Sequence, residues 1–132
     1  MLDTKQLQDI FSNLNVLYVE DDELLRNMSL EFFNIFFENI DIASDGEEGL
    51  ERFQEKEYAL VISDLNMPKI NGYEMFKQIR KRNKNTVLIM MSGEEDGIEG
   101  GSDIYDAFLS KPVRFADIIQ AFDSVKERLT QA

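Results

Sequence analysis

The feature that most constrains this chain is an alternation. Short runs of Val, Ile and Leu are separated by longer stretches in which apolar side chains recur every three or four positions. Five short runs read as strands, over residues 16–19, 41–43, 59–63, 87–91 and 107–109. They show little polar alternation, as strands covered on both faces do; the second is short and polar at its start. Between them, Leu25, Met28, Phe32 and Phe36 share one face of a first helix, with Phe33 and Phe37 pointing away from it. Gly46, Leu50 and Phe53 fit a second helix, and Met75, Phe76 and Ile79 a third that begins near Asn71 and Gly72. Phe115, Ile118, Ile119, Phe122 and Val125 make a last one, with Lys126 and Arg128 near its end, where cations suit the helix dipole. The window over 93–106 carries Gly93, Gly97, Gly100 and Gly101. Each interior glycine costs about 1 kcal/mol against alanine, so the helix expected there is short or weak.

Strand–helix alternation implies parallel strands joined by helical crossovers, hence a three-layer, doubly wound α/β domain around a five-stranded parallel sheet. Ahead of the first strand, Leu7, Ile10, Phe11 and Leu14 sit at helical spacing. They predict a short extra N-terminal helix, which either packs on the domain, the simpler reading, or serves self-association. The expected organisation is a helical extension over 1–14 and one domain over 15–132.

Twenty-six acidic residues against fourteen basic ones give a net charge of −12. That sign disfavours direct binding to nucleic acid or to anionic membranes. The one basic run, Arg80-Lys81-Arg82 with Lys84, is short. There is no cysteine, which removes disulfides and thiolate chemistry, and no histidine, which removes the commonest general base. Any phosphohistidine taking part in the function must therefore sit on another protein. No apolar run approaches the roughly 20 residues of a membrane helix, and the N-terminus lacks a signal-peptide layout. A cytoplasmic location is expected.

In open parallel sheets, ligands bind outside the carboxyl ends of the strands. The first predicted strand runs into Glu20-Asp21-Asp22-Glu23, the third into Asp64, the fourth ends at Ser92 and the fifth at Lys111-Pro112. Ser44-Asp45 after the second reads as a helix cap. One rim thus gathers carboxylates, a hydroxyl and an ammonium. Clustered carboxylates stay ionised together only beside a compensating cation. With no His or Cys to bind it, oxygen ligands select a hard ion, Mg²⁺ or alternatively Mn²⁺. Lys111 would suit the oxygens of a phosphoryl group sharing that site, and Ser92 could donate to one. Asp22 and Glu23 read as helix-starting or solvated charges.

The segments VLYVEDDELLR, LVISDLNMPKINGYEM, VLIMMSG and FLSKPV, in this order and at these strand ends, resemble the receiver domain of two-component response regulators. The resemblance spans about residues 15–129. It implies a flavodoxin-like strand order of 2-1-3-4-5. It also implies that Asp64 accepts a phosphoryl group from a histidine kinase or a His-phosphotransfer protein, and that Asp21 binds Mg²⁺ directly and Glu20 through water. Asn66 would offer its backbone carbonyl to the metal, and Lys111 and Ser92 would hold phosphoryl oxygens. Ser92 and Phe108 would form the switch that remodels the face made by the fourth helix, the fifth strand and the last helix, where a downstream target docks. Phe108 lacks the hydroxyl of the tyrosine common there, so tyrosine-specific contacts are not expected. The glycine-rich window is the larger departure, and its helix is expected to order on activation. Lys111-Pro112 is a candidate cis bond. Activity would be limited to self-catalysed phosphorylation and slow autodephosphorylation, without enzymatic turnover. A metal-dependent phosphohydrolase would carry a second Asp where Asn66 stands, and a receiver fold used without phosphate is the other alternative. The protein is expected as a monomer or weak phosphorylation-dependent dimer. With the last helix ending near Leu129, it reads either as a stand-alone receiver of the chemotaxis type or as a piece of a longer regulator.

Overall fold

The computed structural model describes residues 3–93 and 104–130. Its elements are α1 (Thr4–Phe11), β1 (Asn15–Val19), α2 (Glu23–Phe36), β2 (Asn39–Ala43), α3 (Gly46–Glu55), β3 (Leu60–Asp64), α4 (Gly72–Arg82), β4 (Val87–Ser92), β5 (Ala107–Ser110) and α5 (Phe115–Thr130). The five strands form one parallel sheet in the order β2-β1-β3-β4-β5, as expected. The helix expected within 93–106 falls largely on residues 94–103, outside the described residues.

Successive strand residues point to opposite faces, and the core divides accordingly. Val16, Tyr18, Leu60, Ile62, Ile89 and Met91 face α2 and α5. Leu17, Val19, Val61, Leu88 and Met90 face α4, with α3 beside it. The central strands are buried throughout, which is why their sequences are continuous apolar runs. β2 is an edge strand and begins two residues earlier than its sequence predicts. Its start at Asn39 is exposed, so the polar residues there meet water while their backbone still pairs with Asn15 and Val16.

The helix starts follow from local chemistry. Asp22 caps α2 by accepting from Leu25 N, Asp45 caps α3 through Glu48 N, and Asn71 caps α4 through Glu74 N. Gly72 is required by close approach: a Cβ there would lie 2.3 Å from the Asp64 carbonyl oxygen. The N-terminal helix packs on the domain. Asp3 and Gln6 form a reciprocal capping box. Leu7 and Phe11 are fully buried, and the Phe11 ring meets Phe122 edge-on at 4.9 Å and Phe37 at 5.9 Å.

One expectation is corrected. α2 buries Ser29 and Phe33 along with the expected Phe36, and Phe37 just after it, while Leu25 and Met28 are exposed. Both stripes have helical spacing. The observed one sends Phe33, Phe36 and Phe37 into an aromatic cluster around Phe122, which buries more apolar area than Leu25 and Met28 could.

Candidate functional site

Because every strand runs the same way, the ends of β1, β3, β4 and β5 open on one rim. Glu20 follows β1 and continues its ladder through a bond from its backbone N to the Ala43 carbonyl, 3.1 Å. Its own carbonyl accepts from Arg26 Nη1 on α2 at 2.8 Å, and its Oε2 accepts from Asp22 N at 3.2 Å. These contacts hold the side chain inward, where it is 1% exposed. Asp64 is the last residue of β3 and 6% exposed, with the chain beyond it anchored by Leu65 N on the Met91 carbonyl, 2.9 Å. Asp21 is exposed at the mouth. One oxygen from each of Glu20, Asp21 and Asp64 lies within 4.8 Å of the others.

Lys111 enters from the opposite side. Its backbone N donates to the Ser92 carbonyl at 3.1 Å, and the cis Lys111-Pro112 peptide, found as the resemblance implied, turns the chain away. The ammonium bridges the two buried carboxylates, 2.9 Å from Glu20 Oε1 and 3.0 Å from Asp64 Oδ1. Burial raises the Glu20 and Asp64 pKa values; Lys111 opposes the rise in both, while Asp64 adds to it in Glu20 and Asp21 adds to it in Asp64. Burial also works against the charge on Lys111, but the two carboxylates outweigh it and its pKa is raised.

Three carboxylates against one ammonium leave two negative charges uncompensated. An all-oxygen donor set of that charge fits a hard divalent cation. The resemblance read in the sequence implies Mg²⁺ at such an acidic pocket, and this donor set fits that ion.

The remaining sequence-predicted residues are placed as follows. Ser92 is buried and ends β4, beside the Met91 that pairs with Asp64. Asn66 is exposed in the loop two residues past Asp64. Phe108 is half-buried on β5 against the α4-side core, its ring 5.8 Å from Tyr105. One side chain and one cavity went unread in the sequence. Arg26, one turn into α2, fixes the Glu20 backbone; a cation six residues after a strand-end carboxylate is the signal that was available. Leu25, Met28 and Phe32 line an apolar cavity of about 180 Å³ whose other wall is Met91, Lys111, Pro112 and Val113. A larger cavity of about 420 Å³ lies at the opposite end of the sheet, lined by Asn13, Asn15, Asn83 and Arg128, and contains none of the clustered carboxylates.

The response regulator receiver domain family matches residues 16–123. The response regulator ArlR of Staphylococcus epidermidis is 32% identical over 120 residues, covering 86% of this chain and 53% of its own. The regulatory protein VanRB of Enterococcus faecalis is 28% identical over 118 residues, covering 88% and 54%. The chain thus spans about half the length of these curated relatives. Among solved structures, the chemotaxis response regulator CheY4 of Vibrio cholerae superposes with a TM-score of 0.74 at 27% identity, covering 85% of this chain and 98% of that one. Strand order, the carboxylate rim and the family match over most of its length agree: this chain belongs to the response regulator receiver domain family.

Proposed function

We propose that the chain is a phosphorylation-activated switch in which Asp64 accepts a phosphoryl group from a phosphohistidine on a histidine kinase or His-phosphotransfer protein. The observation that carries this is the Lys111 ammonium set between Asp64 and Glu20, with Asp21 completing the cluster. An Asp64 carboxylate oxygen forms the new O–P bond as the N–P bond of the donor breaks. The electron pair goes to the imidazole, which takes up a proton on the partner. A bound Mg²⁺, or Mn²⁺ in its place, supplies charge neutralisation to the phosphoryl oxygens. Asp21, Asp64 and the Asn66 carbonyl would hold that ion, with Glu20 acting through water. Lys111 turns from the carboxylates to a phosphoryl oxygen, and Ser92 donates to another. Asn66 stands where a phosphohydrolase would keep a second carboxylic acid, so the acyl phosphate persists and the protein works as a switch without enzymatic turnover.

The donor protein has a place to land. Leu24 (69% exposed), Leu25, Met28 (56%) and Ile35 are the exposed large hydrophobics among the described residues, and all lie on α2. The cavity beside Leu25 and Met28 shares Lys111 with the acceptor site. Output is assigned to the face carrying Phe108, β5 and α5, where Phe108, Arg114, Asp117 and Gln120 line a surface groove that a downstream protein can enter. No helix among the described residues is long and apolar enough to cross a membrane, and a cytoplasmic setting suits a cysteine-free chain. The test is intact mass after incubation with Mg²⁺ and acetyl phosphate. A gain of one phosphoryl group that is absent in Asp64→Asn is the expected result; no gain in the native protein refutes the assignment.

A further inference from the structure

Tyr18 is an unusual residue to find in the middle of β1. It is fully buried, and its ring is pinned edge-on against Phe33 with centroids 5.0 Å apart. Its hydroxyl has no hydrogen-bond partner; Ser29 on α2 lies beside it without completing a good bond. A buried hydroxyl left in that state is costly, and phenylalanine would pack as well without it. The hydroxyl therefore asks for a partner that a second state of the molecule provides.

The register narrows the choice. Tyr18 and Glu20 are alternate residues of one strand and project from the same sheet face. Tyr18 pairs with Ile62, two residues before Asp64, so both buried carboxylates lie two positions beyond it on adjacent strands. Glu20 is the carboxylate with something to lose. Its Oε2 is held by Asp22 N, but its Oε1 is held by Lys111, the group that the proposed function sends to the phosphoryl oxygen. Once Lys111 leaves, a buried carboxylate oxygen needs another donor. Among the described residues the buried side-chain donors without a hydrogen bond are Tyr18 Oη and Arg52 Nε, and Arg52 lies on α3, across the sheet, where its Nε is ion-paired with Glu48 at 3.6 Å.

We propose that Tyr18 is a positioning residue for the loaded acceptor site: its hydroxyl donates to Glu20 Oε1 when Lys111 turns to the phosphoryl group. This rests on the acceptor reading above. The test compares native protein with Tyr18→Phe in two titrations, Mg²⁺ alone and Mg²⁺ with beryllofluoride as a stable phosphoryl mimic, both followed by calorimetry, with metal-free melting alongside. Tyr18→Phe weakens binding of the mimic about tenfold, the scale of one hydrogen bond to a charged group, and weakens Mg²⁺ alone much less, because Lys111 still serves Glu20 there. Its metal-free melting temperature is equal to or above the native one. Equal losses in both titrations, no loss in either, or a lower metal-free melting temperature would each overturn the proposal. A native protein that binds neither Mg²⁺ nor the mimic overturns the acceptor reading instead, and this inference with it.

Discussion

At the residue scale, the metal-free site holds more negative charge than it can comfortably bury. Glu20 and Asp64 are both shielded from water and share one ammonium. Their folded pKa values are raised, by burial first. A raised carboxylate pKa favours the folded state below the ordinary value near 4 and withdraws that contribution as pH rises through the folded value. Asp64→Asn removes one buried charge and leaves Lys111 to Glu20. It is expected to stabilise the metal-free protein at pH 7 by on the order of 1 kcal/mol. Urea denaturation should show that advantage shrinking toward pH 4 and growing from pH 4 to 7. Lys111 behaves in the opposite range: its raised pKa holds stability up to its ordinary value of 10.5 and loses it above, in strong alkali. Much of this site could be read from the chain alone, because Glu20, Asp64, Ser92 and Lys111 each follow an unambiguous apolar run. The bridge itself could not: Lys111 and Glu20 are 91 residues apart, and only strand order brings them to one rim. Tyr18 was hidden for a related reason, since a tyrosine inside an apolar run reads as core.

At the element scale, α1 and α2 show where periodicity stops being decisive. On α2 the stripe through Leu25, Met28, Phe32 and Phe36 and the stripe through Ser29, Phe33 and Phe36 have equally good spacing, and tertiary area decided between them. On α1 a single stripe, Leu7 and Phe11, left no choice. The two helices make contrasting predictions. Phe11→Ala empties a fully enclosed site between Phe37 and Phe122 and should cost about 3–5 kcal/mol in denaturant unfolding. Met28→Ala touches an exposed side chain and should change stability by no more than about 0.5 kcal/mol. If α2 receives the phosphodonor, Met28→Asp should slow phosphorylation by a donor protein severalfold while leaving acetyl phosphate labelling unchanged. Equal rates with the donor protein would move the docking site elsewhere. Gly72→Ala sits between these extremes. Its Cβ collides with the Asp64 carbonyl, so it should both destabilise the fold by a few kcal/mol and slow acyl-phosphate formation, since the backbone of the proposed acceptor must shift.

At the scale of the whole molecule, the crossover from β1 to its two neighbours builds the candidate site. β2 and β3 flank β1 on opposite sides, so the loops after β1 and β3 part and leave the crevice in which Glu20, Asp21 and Asp64 meet. The molecule around that crevice carries a net charge of −12, and any added cation relieves some of its self-repulsion. Stabilisation by Mg²⁺ would therefore have two sources, general screening and occupation of the crevice, which have different concentration laws. Site binding adds RT ln(1 + [Mg²⁺]/Kd), about 2.7 kcal/mol at a hundred times Kd, whereas screening tracks ionic strength and is reproduced by KCl. Asp21 separates them. It is exposed and makes no ion pair among the described residues, so Asp21→Asn should leave the metal-free melting temperature where it is or raise it slightly. In native protein, melting at matched ionic strength should rise logarithmically with Mg²⁺ and exceed the KCl series. In Asp21→Asn the two series should coincide across the same range. A Mg²⁺ series that matches KCl in the native protein would mean that the three carboxylates, however close, do not act as one cation site.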